Sequence, residues 1–251
     1  MKKGKNRIFI GTSGYNYRHW GGGIFYPATI PSRQWLEYYS RHFNSVELNV
    51  TFYRLPSLKA FAGWYRRSPK NFRFVIKGSR FITHLKRLKD SKENLRIFFK
   101  NAAPLKEKLA AVLWQFPANF HLNLERLSEF TARLKKNKLA KKVPQVFEFR
   151  HPSWFCPEVY SLLGKHNFCL CIAHSNRWPT FEITTADFTY LRFHGGKSLY
   201  SSNYSPKELK KWADKARVWL REGKDFYAYF NNDARGFAVK NAIYFKKLLK
   251  K

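Results

Sequence analysis

Three short stretches of this sequence place charged, amide or imidazole side chains on alternate positions: Glu47 with Asn49, Glu148 with Arg150, and Arg192 with His194. Alternate residues of a strand point the same way. Each stretch therefore has a polar face, backed by an apolar one made of Val46 and Leu48, Phe147 and Phe149, or Leu191 and Phe193. A carboxylate or an imidazole can move a proton, and a guanidinium beside them can hold an anion. Glu47, Glu148, His194 and Asp233 are the candidate acid–base groups. Ser13, Tyr15, Asn49, Lys77, His84, Gln115, Arg150, His151, Arg192, Gly195, Gly196, Asn231 and Asn232 are the candidates for holding a phosphate-bearing ligand.

Eight β-rich runs would carry these groups: Arg7–Ser13, Ser45–Asn49, Phe72–Lys77, Ala110–Gln115, Gln145–Arg150, Phe168–His174, Phe188–His194 and Asp225–Asp233. Helix-like stretches lie between them at Arg33–Phe43, Leu58–Ser68, Lys89–Ala103, Leu124–Lys136, Pro157–Lys165, Pro206–Glu222 and Phe237–Lys250, with a weak helix or none after His174. Ser32 is placed to cap the first helix, and Ser205-Pro206 with Glu208 reads as the start of the seventh. Strand and helix alternating over 251 residues without a linker predict an α/β fold, one (β/α)8 TIM-type barrel spanning residues 1–251. An open dinucleotide-binding sheet is disfavoured, since Gly11-Thr-Ser-Gly14 lacks the G-x-G-x-x-G spacing.

In such a barrel the apolar strand faces meet the helices and the polar ones face inward, so Glu47, Glu148, Arg150, Arg192 and His194 are expected to converge at the carboxyl ends of the strands. The same groups could fill the interior as mutually satisfied ion pairs. Apolar side chains fill space without that desolvation cost, and gathering at strand ends favours a working site. After the seventh and eighth strands, Gly195-Gly196-Lys197-Ser198 and Asn231-Asn232-Asp233-Ala234-Arg235-Gly236 occupy the common phosphate position of this architecture. Glu47, Glu148, Asp233 and nearby histidines could ligate a divalent metal, but Arg150, Arg192 and Lys77 already offset those carboxylates, and a metal is not favoured. Ser13, His194 and Asp233 suggest a triad only weakly, because no G-x-S-x-G elbow is present.

Charge is the outlier of the composition: 48 Lys+Arg against 16 Asp+Glu give a net +32, a field that attracts polyanions or simply keeps the protein solvated. The segment from Arg54 to Lys108 is strongly basic, and aromatics interleave with these charges, including Phe52, Tyr53, Trp64, Tyr65 and Phe81. Cationic grooves with aromatic platforms hold single strands or extruded bases. Trp64 reads better as a core anchor. A hydrophobic content of 44% and an aromatic share of 18% exclude a disordered chain. Cys156, Cys169 and Cys171 form no Cys-x-x-Cys pair and read as reduced thiols. Lys2, Lys3 and Lys5 precede an apolar stretch too short for a signal peptide or a membrane span, so a cytoplasmic location is expected.

Taken together, Gly11-Thr-Ser-Gly-Tyr15 with Trp20, Phe25-Tyr-Pro27, Val46-Glu-Leu-Asn49 with Thr51-Phe-Tyr53, Gln115-Phe-Pro117, Glu148-Phe-Arg-His151-Pro-Ser-Trp154, Tyr190 with Arg192-Phe-His194-Gly195, and Tyr229-Phe-Asn-Asn-Asp233 resemble the YecE-like family. The resemblance spans Gly11 to about Asn241. It implies a TIM-type barrel and, through the likeness of that family to endonuclease-IV-type barrels, DNA or another phosphodiester as ligand. A three-zinc endonuclease site would need more His, Asp and Glu ligands than this rim offers. The leading expectation is a protein that binds nucleic acid or another phosphate-bearing ligand and acts as a phosphodiester hydrolase. The alternatives are an enzyme for a phosphorylated or carboxylated metabolite, or a binding protein without catalysis.

Overall fold

A computed structural model describes residues 6–250. Lys2, Lys3 and Lys5 lie outside the described residues. The strands are β1 (Ile8–Thr12), β2 (Ser45–Leu48), β3 (Arg73–Lys77), β4 (Leu109–Gln115), β5 (Gln145–Glu148), β6 (Cys169–Leu170), β7 (Ile172–His174), β8 (Phe188–Phe193) and β9 (Asp225–Phe230). The helices are α1 (Trp35–His42), α2 (Val50–Tyr53), α3 (Leu58–Arg67), α4 (Ser91–Ala102), α5 (Leu124–Lys136), α6 (Pro157–Lys165), α7 (Pro206–Arg221) and α8 (Phe237–Lys250). Neighbouring strands run parallel, which gives the expected α/β fold with parallel sheets, consistent with a TIM-type barrel. Among the described residues no helix is long and apolar enough to cross a membrane.

Two compact units share the chain. One holds the residues up to Glu47, Ile172–Glu182 and those from Asp187 onward; the other holds Leu48–Cys171 and Ile183–Ala186. In the first, the sheet order is β1-β9-β8-β7, and an isolated parallel bridge joins Ser13 to Glu47. Phe193 stacks on Phe230 at 4.3 Å and meets Trp212 of α7 and Phe245 of α8, while Phe226 stacks on Trp219. The opposite face of the same strands carries Tyr190, Arg192, Tyr227 and Tyr229, all buried. The expected division into an apolar helix-facing side and a polar inner side holds here.

In the second unit β3, β4, β5 and β6 follow in order. Trp114 packs between Phe98 of α4 and Phe130 of α5 and donates to Gln145 Oε1 at 2.8 Å, and Phe74 stacks on Trp64 of α3. Trp64 is thus an anchor of the helix layer, as its sequence context suggests. Lys77, Gln115 and Glu148 have the other parity, with Gln115 level with Glu148 across the β4–β5 ladder. Gly78 lies so close to the Trp114 ring that a Cβ would overlap it. Only glycine lets the chain leave β3 there.

Three local expectations are corrected. The sixth run is two strands, because β6 pairs with β5 and β7 with β8, Cys171 between them still donating to Phe147 O at 2.8 Å. Ser32 does not cap α1; it opens a 3-10 turn, Ser32–Gln34, and α1 begins behind it with no side-chain cap. The fifth and eighth strands stop at Glu148 and Phe230, so Arg150 and Asn231-Asn232-Asp233 stand in the following loops. By contrast Ser205 and Glu208 form a full capping box on α7, and residues 175–187 carry no helix.

Lys108 is buried. Its Nζ donates to Tyr65 O at 2.6 Å and to Ser68 O and Oγ at 2.7 and 3.0 Å, which places a cation on the last carbonyls of α3. Lys108→Met, which strips those carbonyls of their donor, is expected to lower unfolding free energy by about 1.5–3 kcal/mol. Gly78→Ala is expected to cost about 1–3 kcal/mol through overpacking on Trp114. Urea denaturation measures both, and a change within error of zero would contradict the stated contacts.

Candidate functional site

The predicted residues resolve into groups within each unit. In the first, Glu47 is fully buried and its carboxylate collects three donors: Ser13 Oγ at 2.7 Å and Arg192 Nη2 at 2.6 Å on Oε1, and Tyr190 Oη at 2.5 Å on Oε2. Tyr190 was not among the predicted site residues, yet it precedes Arg192 by two positions on β8 and so shares its face. Parity was the available signal. Burial and the adjacent Glu47 charge push the Tyr190 phenol far above its usual pKa, so it remains a donor.

Arg192 carries this arrangement on to His194, its Nη1 lying 3.4 Å from Nε2, while the amide of Asn231 lies 3.1 Å from Nδ1. Asn231 presents its amide nitrogen, Nδ2, to Nδ1, so both neighbours of the ring offer donors, and a neutral imidazole accepts through one nitrogen only. Trp178 and Tyr200 flank the imidazole edge-on at 5.2 and 5.7 Å. This is a fixed, oriented imidazole.

Asp233 belongs to a different set. It accepts from Trp20 Nε1 at 2.6 Å and pairs with His19 at 3.0 Å, and burial raises its carboxyl to about 6. The triad of Ser13, His194 and Asp233 is not formed in these pairings: Ser13 serves Glu47, His194 faces Asn231, and Asp233 serves Trp20 and His19. Tyr15 accepts from Tyr26 Oη through its carbonyl.

The loop after β8 is braced internally. Gly195 N–H donates to Tyr204 Oη at 2.9 Å and Lys197 N–H to Ser202 Oγ at 3.2 Å, so both amides already have acceptors within the loop. Gly195 sits at φ +101° and a Cβ there would strike Ser198 O; Gly196 packs against His174 and Glu208. Asn232 is buried and donates to Ser202 O and Asn241 Oδ1, a brace between loop and α8. These glycines and Asn232 shape the turn.

In the second unit the fully buried Glu148 accepts from Arg150 Nε at 2.9 Å and lies 4.0 Å from the Cys171 thiol. Lys77 Nζ sits 3.9 Å above the Phe52 ring, and the edge of His84 meets that same ring at 4.8 Å. Phe52, read from the sequence as one of the aromatics among the cations, stands in α2, an element that the periodicity did not announce. Burial first, then the positive charges of Lys77, Arg150 and Arg80, hold the His84 imidazole down to about 4, with Glu148 a weaker opposing influence. Asn49 stands at the start of α2. Gln115 donates to the carbonyl of Phe116, and His151 stacks on His121 at 3.8 Å while bonding Ser153. Among the described residues no three His, Cys, Asp or Glu side chains gather as metal ligands.

Glu47→Gln leaves the buried Arg192 without its counter-charge and is expected to cost about 3–5 kcal/mol in urea denaturation; a loss below about 1 kcal/mol would mean that the pair is not what holds Arg192. The His84 shift carries a pH dependence of fixed sign. Its folded pKa lies below the unfolded value of about 6.5, so the stability linked to neutral His84 is complete above that pH and is lost as pH falls towards 4. His84→Asn should therefore show a shallower decline of stability than the parent between pH 6.5 and 4, and parallel curves would contradict the assignment.

Comparison with known proteins agrees with the motif resemblance. The UPF0759 protein YunF of Bacillus subtilis is 29% identical, over 96% of this chain and 94% of YunF. The UPF0759 protein YecE of Escherichia coli K12 is 31% identical across 48% of this chain and 43% of YecE. The crystal structure of a DUF72 family protein from Thermotoga maritima superposes with a TM-score of 0.86 at 32% identity, covering 98% of this chain and all of the other. The family described as "Protein of unknown function DUF72" matches residues 9–251, and the chain belongs to it.

Proposed function

We propose that this chain binds a phosphate-bearing ligand, nucleic acid first among them, through Lys77, Arg150 and His84. The observation that carries the reading is electrostatic: Lys77, Arg150 and Arg80 act together on His84 and outweigh Glu148, at the ends of β3 and β5. An ammonium and a guanidinium suit phosphate oxygens, and an imidazole kept neutral at pH 7 adds a hydrogen bond without charge. The +32 of the chain supports a polyanion over a small anion, since such a field raises the rate of encounter.

Hydrolysis of a phosphodiester extends the same reading. A phosphate that draws Arg150 to itself leaves the Glu148 carboxylate beside the ligand, where it takes one proton of an attacking water as the new P–O bond forms; the P–O bond to the leaving oxygen breaks, and that oxygen departs with a proton from solvent. Glu47, with every partner a fixed donor, is assigned to positioning Arg192 and, through it, His194. We place this activity in the cytoplasm, where Cys156, Cys169 and Cys171 remain free thiols.

Binding of an oligonucleotide, followed by fluorescence anisotropy across a salt series, tests the proposal. Lys77→Met and Arg150→Met are each expected to weaken binding roughly tenfold and to reduce the slope of log K against log salt by about one. Glu148→Gln should retain affinity and lose any turnover. Salt-independent binding, or a small carboxylated metabolite retained in native mass spectrometry with no affinity for nucleic acid, would overturn the nucleic-acid reading.

A further inference from the structure

Between Glu47 and Asp90 the chain has no acidic residue and eleven Lys or Arg. Within that stretch, side chains that ordinarily seek the core point outward: Tyr53 is 77% exposed, Leu85 63% and Phe81 42%. Isolated exposed apolar residues need no explanation, but Tyr53 is tied through Phe52 and His84 to the turn that bears the other two. Phe52 meets Tyr53 edge-on at 5.0 Å on one side and His84 at 4.8 Å on the other, and Lys77 lies over the same ring. His84 belongs to the turn that bears Phe81 and Leu85, and the ammonium of Lys86 lies 5.8 Å from the Phe81 ring.

The turn is held stiffly. Residues Phe81–Leu85 form a single π-helical turn, a form frequent at functional sites, and Arg87, Leu88 and Asp90 then take left-handed φ values of 45°, 72° and 46°. Leu88 is buried and its N–H returns to Ile82 O at 2.9 Å, while the Arg87 guanidinium rests on the Phe120 ring at 5.7 Å. Anchoring by these two residues leaves Phe81 and Leu85 presented outward with little freedom to lose on binding.

We propose that Tyr53 and Phe81 form a stacking edge for single-stranded nucleic acid, whose backbone runs along Arg54, Arg80, Lys86 and Lys89, all exposed. This rests on the phosphate-directed reading above and names its partner. Two features select an unpaired strand. Base faces are open to an aromatic ring only when the bases are not paired, and cations beside the rings match the phosphates that every nucleotide carries. A duplex offers the phosphates alone. An acidic peptide would use the cations and leave the rings without a function.

The test compares a fluorescein-labelled oligothymidine, the same strand annealed to its complement, and vesicles of phosphatidylserine, each with the full chain and with Tyr53→Ala and Phe81→Ala. Both residues are exposed, and unchanged thermal melts establish that the variants fold. The expected result is that each substitution weakens the single strand roughly tenfold or more while changing duplex affinity less than twofold, with the parent preferring the single strand. Equal losses for strand and duplex, no loss for either, or vesicle binding that depends on the same two residues would overturn the stacking edge. If the parent binds the strand in a salt-dependent manner that Lys77→Met weakens, while Tyr53→Ala and Phe81→Ala do not, the stacking edge fails and the phosphate site stands. If the parent binds neither nucleic acid, both fail.

Discussion

A carboxylate taken wholly out of water must be surrounded by donors, and at Glu47 that requirement organises the inner face of its unit. Three hydrogen bonds reach it from β1, or the residue just past it, and from β8: Ser13, Tyr190 and Arg192. Any one of them missing leaves charge or lone pairs unsatisfied in a dry interior, at a cost of several kcal/mol on the order that buried ions carry. The strands must therefore keep their register, for a one-residue slip would turn Arg192 towards the helices and Phe193 inward. The ring of His194 inherits its orientation from that register. Stability and the geometry of the strand ends are here one constraint.

The second unit meets its polar residues differently. Glu148 is buried with Arg150, but the ends of β3 and β5 also carry Lys77, and the loop beyond β3 adds Arg80. Cation–π contact with Phe52 gives the Lys77 ammonium a partner that does not neutralise it. The first unit gathers donors on one carboxylate, whereas the second sets cations around an imidazole and a ring, and the phosphate reading is lodged in the second.

Much of this was legible beforehand because strand parity is a rigid code. Glu47, Arg192 and His194 on one side and Leu191 and Phe193 on the other follow from spacing alone, and the capping box at Ser205 follows from three residue types. Other features depend on contacts that no local pattern encodes. Phe52 became a site residue only because the short α2 sets it beneath Lys77, and Asn232 proved to be a brace because its partners, Ser202 and Asn241, lie far off in sequence. The split of the sixth run at Cys171 arises from which neighbour each half pairs with. Ser32 failed as a cap because a 3-10 turn intervened before α1, a choice between two closely similar geometries.

The segment from Gly195 to Tyr204 is fastened at both ends and exposes side chains at its crest. Tyr204 Oη clasps Gly195, Asn241 holds the backbone of Tyr204, and Asn232 grips Ser202, whereas the side chain of Lys197 is exposed and Tyr200 lies beside His194. Such a construction separates inheritance from innovation. Its footings can stay constant while the few residues at the crest vary in size, polarity or number, so that relatives sharing one scaffold could acquire unlike ligands by exchanging a handful of codons beside His194.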